Sequence, residues 1–214
     1  CCLSQKKAPV PGASRIDQYR HLIEGSSVAV VANQTSMVGQ THLVDNLLGI
    51  GIDIRVIFAP EHGFRDLAAD GAQISDGRDP VTGVRIISLY GRKLKPETED
   101  LEGIEIVIFD IQDVGARFYT YISTLHYVME ACADNHVKCL VLDRPNPNGF
   151  YFDGNIADTA YRSFVGMHPV PVVHGMTIGE YAMMINGEGW LGGGAGCDLT
   201  VIKCKNYTHK TLYN

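Results

Sequence analysis

Residues 56–65, V-I-F-A-P-E-H-G-F-R, decide how this chain is read. Val56, Ile57 and Phe58 form a short apolar run that ends at Pro60. That is the pattern of a buried strand, stopped where proline can no longer donate a ladder hydrogen bond. Glu61, His62 and Arg65 follow at once, and Gly63 leaves the backbone free to turn. An acid, an imidazole and a guanidinium just past a buried strand make a plausible rim for an active site. The same arrangement, an apolar run followed by polar residues able to do chemistry, recurs along the chain.

Working outward, residues 27–32 (S-V-A-V-V-A), 54–59, 84–89, 104–109 and 137–142 read as buried strands, and 198–203 as a last alternating one. Residues 169–173 read as a short strand or extended segment ending at His174-Gly175. Between these runs lie helical patterns. Residues 14–24 carry Ser14 as expected N-cap and Gly25 as C-terminal stop. Residues 42–48 are stopped by Gly49-Ile50-Gly51, and 96–101 have room for one or two turns. In residues 120–135, Leu125, Val128, Met129 and Cys132 share one face. In residues 177–187, Thr177 and Glu180 have capping-box spacing. Residues 66–83 are polar and read as an irregular flap. Strands alternating with helices imply βαβ units. Strands that are apolar throughout imply a mostly parallel sheet covered by helices on both faces, an α/β fold.

The totals narrow the function. The 214 residues carry a net charge of −6 with no long basic run, which argues against nucleic acid as the main partner. No apolar stretch approaches the roughly 18 to 20 residues that span a bilayer. The chain begins Cys1-Cys2 without an initiator Met, and residues 1–14 read as a tether after a removed signal, with a lipid-bearing Cys as one route to the membrane. Residues 15–204 form the expected catalytic domain, and 205–214 the start of a linker to a C-terminal domain. Cys132, Cys139, Cys197 and Cys204 form no C-x-x-C pair, so free buried thiols are expected rather than a zinc cage.

In open α/β sheets ligands bind outside the carboxyl ends of the strands. That rule gathers Asn33; Glu61, His62 and Arg65; Tyr90; Asp110, Gln112, Asp113 and Arg117; Asp143, Arg144 and Asn146; and His174. Glu61 is the leading acid, because burial near a strand end would raise its pKa and keep a proton available. The competing structural reading pairs it with Arg65. His62 and His174 could orient an acid, touch substrate, ligate a metal, or be hydrogen-bonded parts of the scaffold. Asp113 is either a catalytic carboxylate or a cap of the next helix. Tyr119 offers a flat face for a sugar ring, and Tyr121 reads as core. Arg144, in the rigid D-R-P-N-P turn, could grip a carboxylate with its fork or simply contact Asp143. The chain lacks G-x-G-x-x-G after its first strand, a Walker loop, G-x-S-x-G and H-E-x-x-H, so no cofactor and no metal is expected.

Four motifs, A-P-E-H-G-F-R, D-I-Q-D-V-G-A-R-F-Y-T-Y, D-R-P-N-P-N-G and H-G-M-T-I-G-E, together resemble the bacterial exo-β-N-acetylmuramidase family of the NamZ type, from about residue 26 to the end. The resemblance implies an exported, periplasmic or cell-envelope protein with a Rossmann-like N-terminal domain and a smaller C-terminal one. It implies release of N-acetylmuramic acid from the non-reducing ends of peptidoglycan fragments. Glu61 would be the general acid and Asp113 or Asp110 the partner carboxylate. Asn33, His62, Arg65, Asp110, Gln112, Arg117, Tyr119, Arg144, Asn146 and His174 would bind the sugar. Arg144 and Arg65 are the candidates for its lactyl carboxylate. Two rivals remain: a metal-dependent hydrolase using His62, His174 and an aspartate, and a non-catalytic module that binds wall sugars.

Overall fold

A computed structural model describes residues 7–61, 63–65, 76–194 and 196–212. In chain order the elements are α1 (Ile16–Ile23), β1 (Ser27–Ala32), β2 (Met37–Val38), β3 (Thr41–His42), α2 (Leu43–Gly49), β4 (Asp53–Ala59), β5 (Gly77–Arg78) and β6 (Arg85–Ser88). There follow β7 (Ile106–Asp110), α3 (Tyr121–Asp134), β8 (Lys138–Leu142), α4 (Ile178–Gly187) and β9 (Leu199–Ile202). The main sheet runs β5-β6-β4-β1-β7-β8-β9. All its pairs are parallel except β5–β6, while β2 and β3 form a small antiparallel pair of their own. With β5 set aside, this is the Rossmann strand order: the chain builds outward from β1 on one side, then returns to its other side at β7.

Alternate residues of the central strands feed two separate cores, as a period of two requires. Ala29, Val31, Val56, Phe58, Val107 and Phe109 pack against Leu125, Val128 and Met129 of α3 and Tyr181 and Ile185 of α4. Val28, Val30, Ala32, Ile57, Ala59, Ile106 and Ile108 pack against Tyr19 and Ile23 of α1 and Leu43, Val44 and Leu47 of α2. Because both faces are covered, these strands are written as uninterrupted apolar runs. Val28 pairs with Ile54 but Ala29 with Val56, so Arg55 is one residue too many. This bulge reverses the alternation, and Ile54 joins the second core while Val56 joins the first.

Several local expectations are corrected. Ser14 does not cap α1; it ends a short 3-10 turn, with its N–H donating to Pro11 C=O at 3.1 Å, and the helix starts at Ile16. Residues 169–173 form no strand, only a bridge at Val173, because Pro169 and Pro171 lack ladder donors. The expected tether is pinned from Val10 onward: Val10 and Lys205 exchange hydrogen bonds of 2.8 and 2.9 Å, and Gly12 N–H donates to Asp143 C=O. Residues 66–75 of the expected flap lie outside the described residues, and 77–78 form β5. The α4 capping box is formed as expected, Glu180 N–H to Thr177 Oγ1 at 3.2 Å and Thr177 N–H to Glu180 Oε2 at 2.8 Å. Cys132, Cys139, Cys197 and Cys204 are free thiols.

Between α3 and α4 runs a buried polar chain. His168 Nε2 lies 2.9 Å from His126 Nδ1, and its Nδ1 lies 3.0 Å from Tyr181 Oη. Burial lowers His126 to about 4 and His168 to about 3, with the nearby Arg162 guanidinium acting in the same direction. Both rings are therefore neutral in the fold yet protonate near pH 6.5 when unfolded. The unfolded state binds more protons below that pH, so stability falls as pH drops from 6.5 toward 4. The unfolding free energy from urea titrations at pH 7, 5.5 and 4.5 should decline steadily across this window, by a few kcal/mol in all.

Candidate active site

The ends of β1, β7 and β8 are stitched together where the strand order reverses. Asn33 Oδ1 accepts from the N–H and the hydroxyl of Thr35, at 2.9 and 2.6 Å. Thr35 Oγ1 accepts from Gln112 N–H at 3.0 Å, and the Ser36 hydroxyl donates to the Asp110 carbonyl. The Gln112 amide donates to the carbonyls of Asp113 and Pro145, both at 2.7 Å. Asn146 Nδ2 donates to Met176 C=O at 2.7 Å, and its Oδ1 accepts from Asn148 N–H at 2.7 Å. Gly115, at φ 79°, passes so close that a Cβ there would stand 2.3 Å from Asn146 Oδ1.

Beneath this lattice lies an ion pair. Arg144 grips Asp110 with both arms of its fork, Nε to Oδ1 at 2.6 Å and the terminal NH2 to Oδ2 at 2.8 Å. Both side chains are buried. Burial pushes the Asp110 carboxyl up, and the Arg144 charge and hydrogen bonds pull it back.

Asp113 and His174 form a second buried pair. Asp113 Oδ2 accepts from Gly115 N–H at 2.8 Å and lies 3.4 Å from His174 Nε2. His174 Nδ1 accepts from Met176 N–H, which places the proton of a neutral ring on Nε2, facing Asp113. The 3.4 Å approach is not aligned as a hydrogen bond, so among the described residues His174 Nε2 has no hydrogen-bond partner, and neither has Asp113 Oδ1. Among the described residues Asn33 Nδ2 likewise makes no hydrogen bond of ordinary geometry, although its amide favours the ionised form of Tyr121.

Glu61 is the carboxylate that reaches open space. With Phe118, Tyr119, Thr120, Tyr121 and Val165 it lines a cavity of about 430 Å³. Its Oε2 accepts from the Thr120 hydroxyl at 3.2 Å. Burial raises the Tyr121 phenol, the Asn33 amide lowers it, and the charges of Glu61 and Asp113 raise it further. Tyr121 thus senses both carboxylates at once. A larger depression of about 700 Å³, lined by residues 92–99 with Asp134 and Asn135, lies by the far end of α3, away from these side chains.

The structure sorts the residues expected from the sequence. Glu61 and Tyr119 line the cavity, while Asp113, His174 and Asn33 are buried at the shared edge, each with one atom that makes no hydrogen bond among the described residues. Arg144 and Asp110 are committed to each other, so neither the expected grip on a lactyl carboxylate nor the alternative of Asp110 as partner carboxylate fits. Arg65 is also committed: Nε to Asp79 Oδ1 at 2.8 Å, NH2 to Asp79 Oδ2 at 2.9 Å, and its two terminal nitrogens to Asp45 at 2.8 and 2.6 Å. The structural pairing expected for it was right in kind and wrong in partner, since Glu61 is not involved. Gln112 and Asn146 hold backbone, and Arg117 donates to the carbonyls of Asn155 and Val170 at 2.8 and 2.6 Å, bracing a loop. Asp113 caps its own turn at Gly115 and not α3. Tyr121 packs partly buried against the first core, as expected, and lines the cavity as well. Thr120 was missed, because nothing in a lone threonine before a helix announces a carboxylate 59 residues away. His62 lies outside the described residues. Among the described residues no group of three or more His, Cys, Asp or Glu is placed to hold a metal ion.

A family model described as "Exo-beta-N-acetylmuramidase NamZ, N-terminal" matches residues 28–214. The chain belongs to this family. The peptidoglycan beta-N-acetylmuramidase NamZ of Bacillus subtilis (strain 168) is 40% identical over 198 residues, 91% of this chain and 47% of that protein. Two solved DUF1343 family proteins of Bacteroides fragilis NCTC 9343 match with TM-scores of 0.87, at 47% and 36% identity. They are covered over 55% and 52% of their length, and this chain over 97% and 96%. The chain therefore spans about half the length of these relatives.

Removing one partner of a buried ion pair leaves the other charge stranded. Arg144→Ala should destabilise the fold by about 3–5 kcal/mol, read as a lowered urea midpoint. Tyr119→Ala, on a half-exposed side chain, should shift it by under about 0.5 kcal/mol.

Proposed function

We propose that this chain carries the catalytic centre of an exo-acting glycoside hydrolase that releases N-acetylmuramic acid from the non-reducing ends of peptidoglycan fragments. The observation that carries the reading is Glu61, a carboxylate at the carboxyl edge of a parallel sheet, opening into a cavity walled by Phe118, Tyr119 and Tyr121. Aromatic walls suit the apolar faces of sugar rings. The name of the Bacillus subtilis relative supplies the bond and the sugar.

In this mechanism Glu61 protonates the leaving glycosidic oxygen, and the Thr120 hydroxyl orients it through the hydrogen bond to Oε2. Asp113 is the second carboxylate. Gly115 N–H fixes its Oδ2, which leaves Oδ1 to act on the anomeric carbon or on a water. His174 is held by Met176 N–H on one side and faces Asp113 on the other, an orienting role and not that of a metal ligand. Such a substrate fits a protein of the cell envelope, reached by export.

The test is Glu61→Gln in the full-length protein, assayed on an N-acetylmuramyl disaccharide whose leaving group is a sugar. Loss of a general acid should lower turnover by about 10²- to 10⁴-fold with an unchanged melting temperature. Turnover within a few-fold of the parent would remove Glu61 from the role.

A further inference from the structure

Arg65 stands out because it is so fully engaged and so near the acid. Glu61 lies in a turn closed by Gly63 N–H donating to Pro60 C=O at 3.2 Å, with Gly63 at φ 85°, a conformation that strains any other residue. Beyond the turn, Phe64 is buried and meets the His42 ring edge-on at 4.7 Å, and the Arg65 guanidinium lies 4.9 Å over the Phe64 ring. Arg65 then bridges Asp45 of α2 and Asp79, the residue just after β5, with four hydrogen bonds of 2.6 to 2.9 Å. The Asp79 side chain has no exposure and Asp45 is 29% exposed. Burial alone would raise Asp79, but Arg65 and Thr82 hold it at about 2.

We propose that Arg65 is a positioning residue: by bridging Asp45 and Asp79 it clamps the turn of residues 60–63 and so sets where the Glu61 carboxyl stands. The proposal rests on Glu61 being the general acid. A guanidinium suits the task because its planar fork binds two carboxylates at fixed angles, whereas an ammonium is a single point charge. Two carboxylates from different parts of the chain give the turn two anchors, one on α2 and one beside the sheet edge. The catalytic need is sharp, since a displacement of about 1 Å can cost about 10²-fold in rate.

The experiment compares two substrates in the full-length protein. A muramyl disaccharide has a poor leaving group and needs the acid. A 4-nitrophenyl muramide has a leaving group that departs without protonation. Asp45→Asn loosens one anchor and keeps the buried Arg65–Asp79 pair, and Arg65→Lys keeps the charge without the fork. The expected result for each folded variant is a kcat on the disaccharide about 10- to 100-fold lower, KM within about twofold, and kcat on the nitrophenyl substrate within about threefold. Equal losses on both substrates would mean that the clamp serves only the fold, and unchanged disaccharide turnover would mean that it does not place Glu61. Either result overturns the proposal. If Arg65→Lys does not fold, Asp45→Asn decides alone. Glu61→Gln in parallel separates the two levels: full disaccharide turnover there removes the acid itself, whatever the Arg65 variants do.

Discussion

The buried fork of Arg144 on Asp110 is the interaction on which the rest of the edge depends. Asp110 ends β7, whose other neighbour is β1, and Arg144 follows β8. Their contact ties the carboxyl ends of adjacent parallel strands where no ladder remains to do so. Two charges taken out of water are tolerable only when their geometry is good and their remaining hydrogen-bonding positions are served. Here the fork is bidentate, and the same guanidinium reaches Met37 C=O at 3.3 Å. Around this pair the turns after β1, β7 and β8 hold one another through Thr35, Ser36, Gln112 and Asn146. Among the described residues, four buried side-chain atoms here make no hydrogen bond: one oxygen each of Asp113 and Gln34, and one nitrogen each of His174 and Asn33.

Glu61 belongs to a different regime. It comes from β4, beyond β1, and among the described residues its one side-chain hydrogen bond is with the Thr120 hydroxyl. A general acid must give up its proton and take it back, so a carboxylate locked like Asp110 would serve badly. The fold separates the two demands. Asp110 and Asp79, both buried, are held by arginines and make structure, while Glu61 at the cavity is held by no arginine among the described residues. Arg65 and Phe64 lie on the far side of the turn that carries Glu61 and connect it to α2 and the second core.

The strands were legible because of their double burial. A strand covered on both faces has no polar side to write, so residues 27–32, 54–59 and 137–142 stand out as apolar runs. The helix of residues 177–187 was legible from local hydrogen-bond chemistry, since both members of its capping box lie within three positions. Of the two readings of 169–173, strand or extended segment, the strand does not form because its apolar residues are interleaved with prolines that cannot sustain a ladder. Arginine partners were the least legible feature. Arg65 meets residues 20 and 14 positions away, and Arg144 meets one 34 away, and an aspartate looks the same in sequence whichever arginine it will face.

Local order in the chain is enough to determine an α/β sheet with its chemistry at one edge, because hydrophobic period and strand-end polarity are short-range properties. The family, too, follows from four short motifs in order. Only the tertiary structure decided which of the gathered polar groups remain free. That outcome depends on pairings between distant segments, and a charge buried in a folded protein takes whichever opposite charge the packing brings within reach. So Arg65, Arg144 and Asp110 became framework, while Glu61, Thr120 and Tyr121 came to share one cavity.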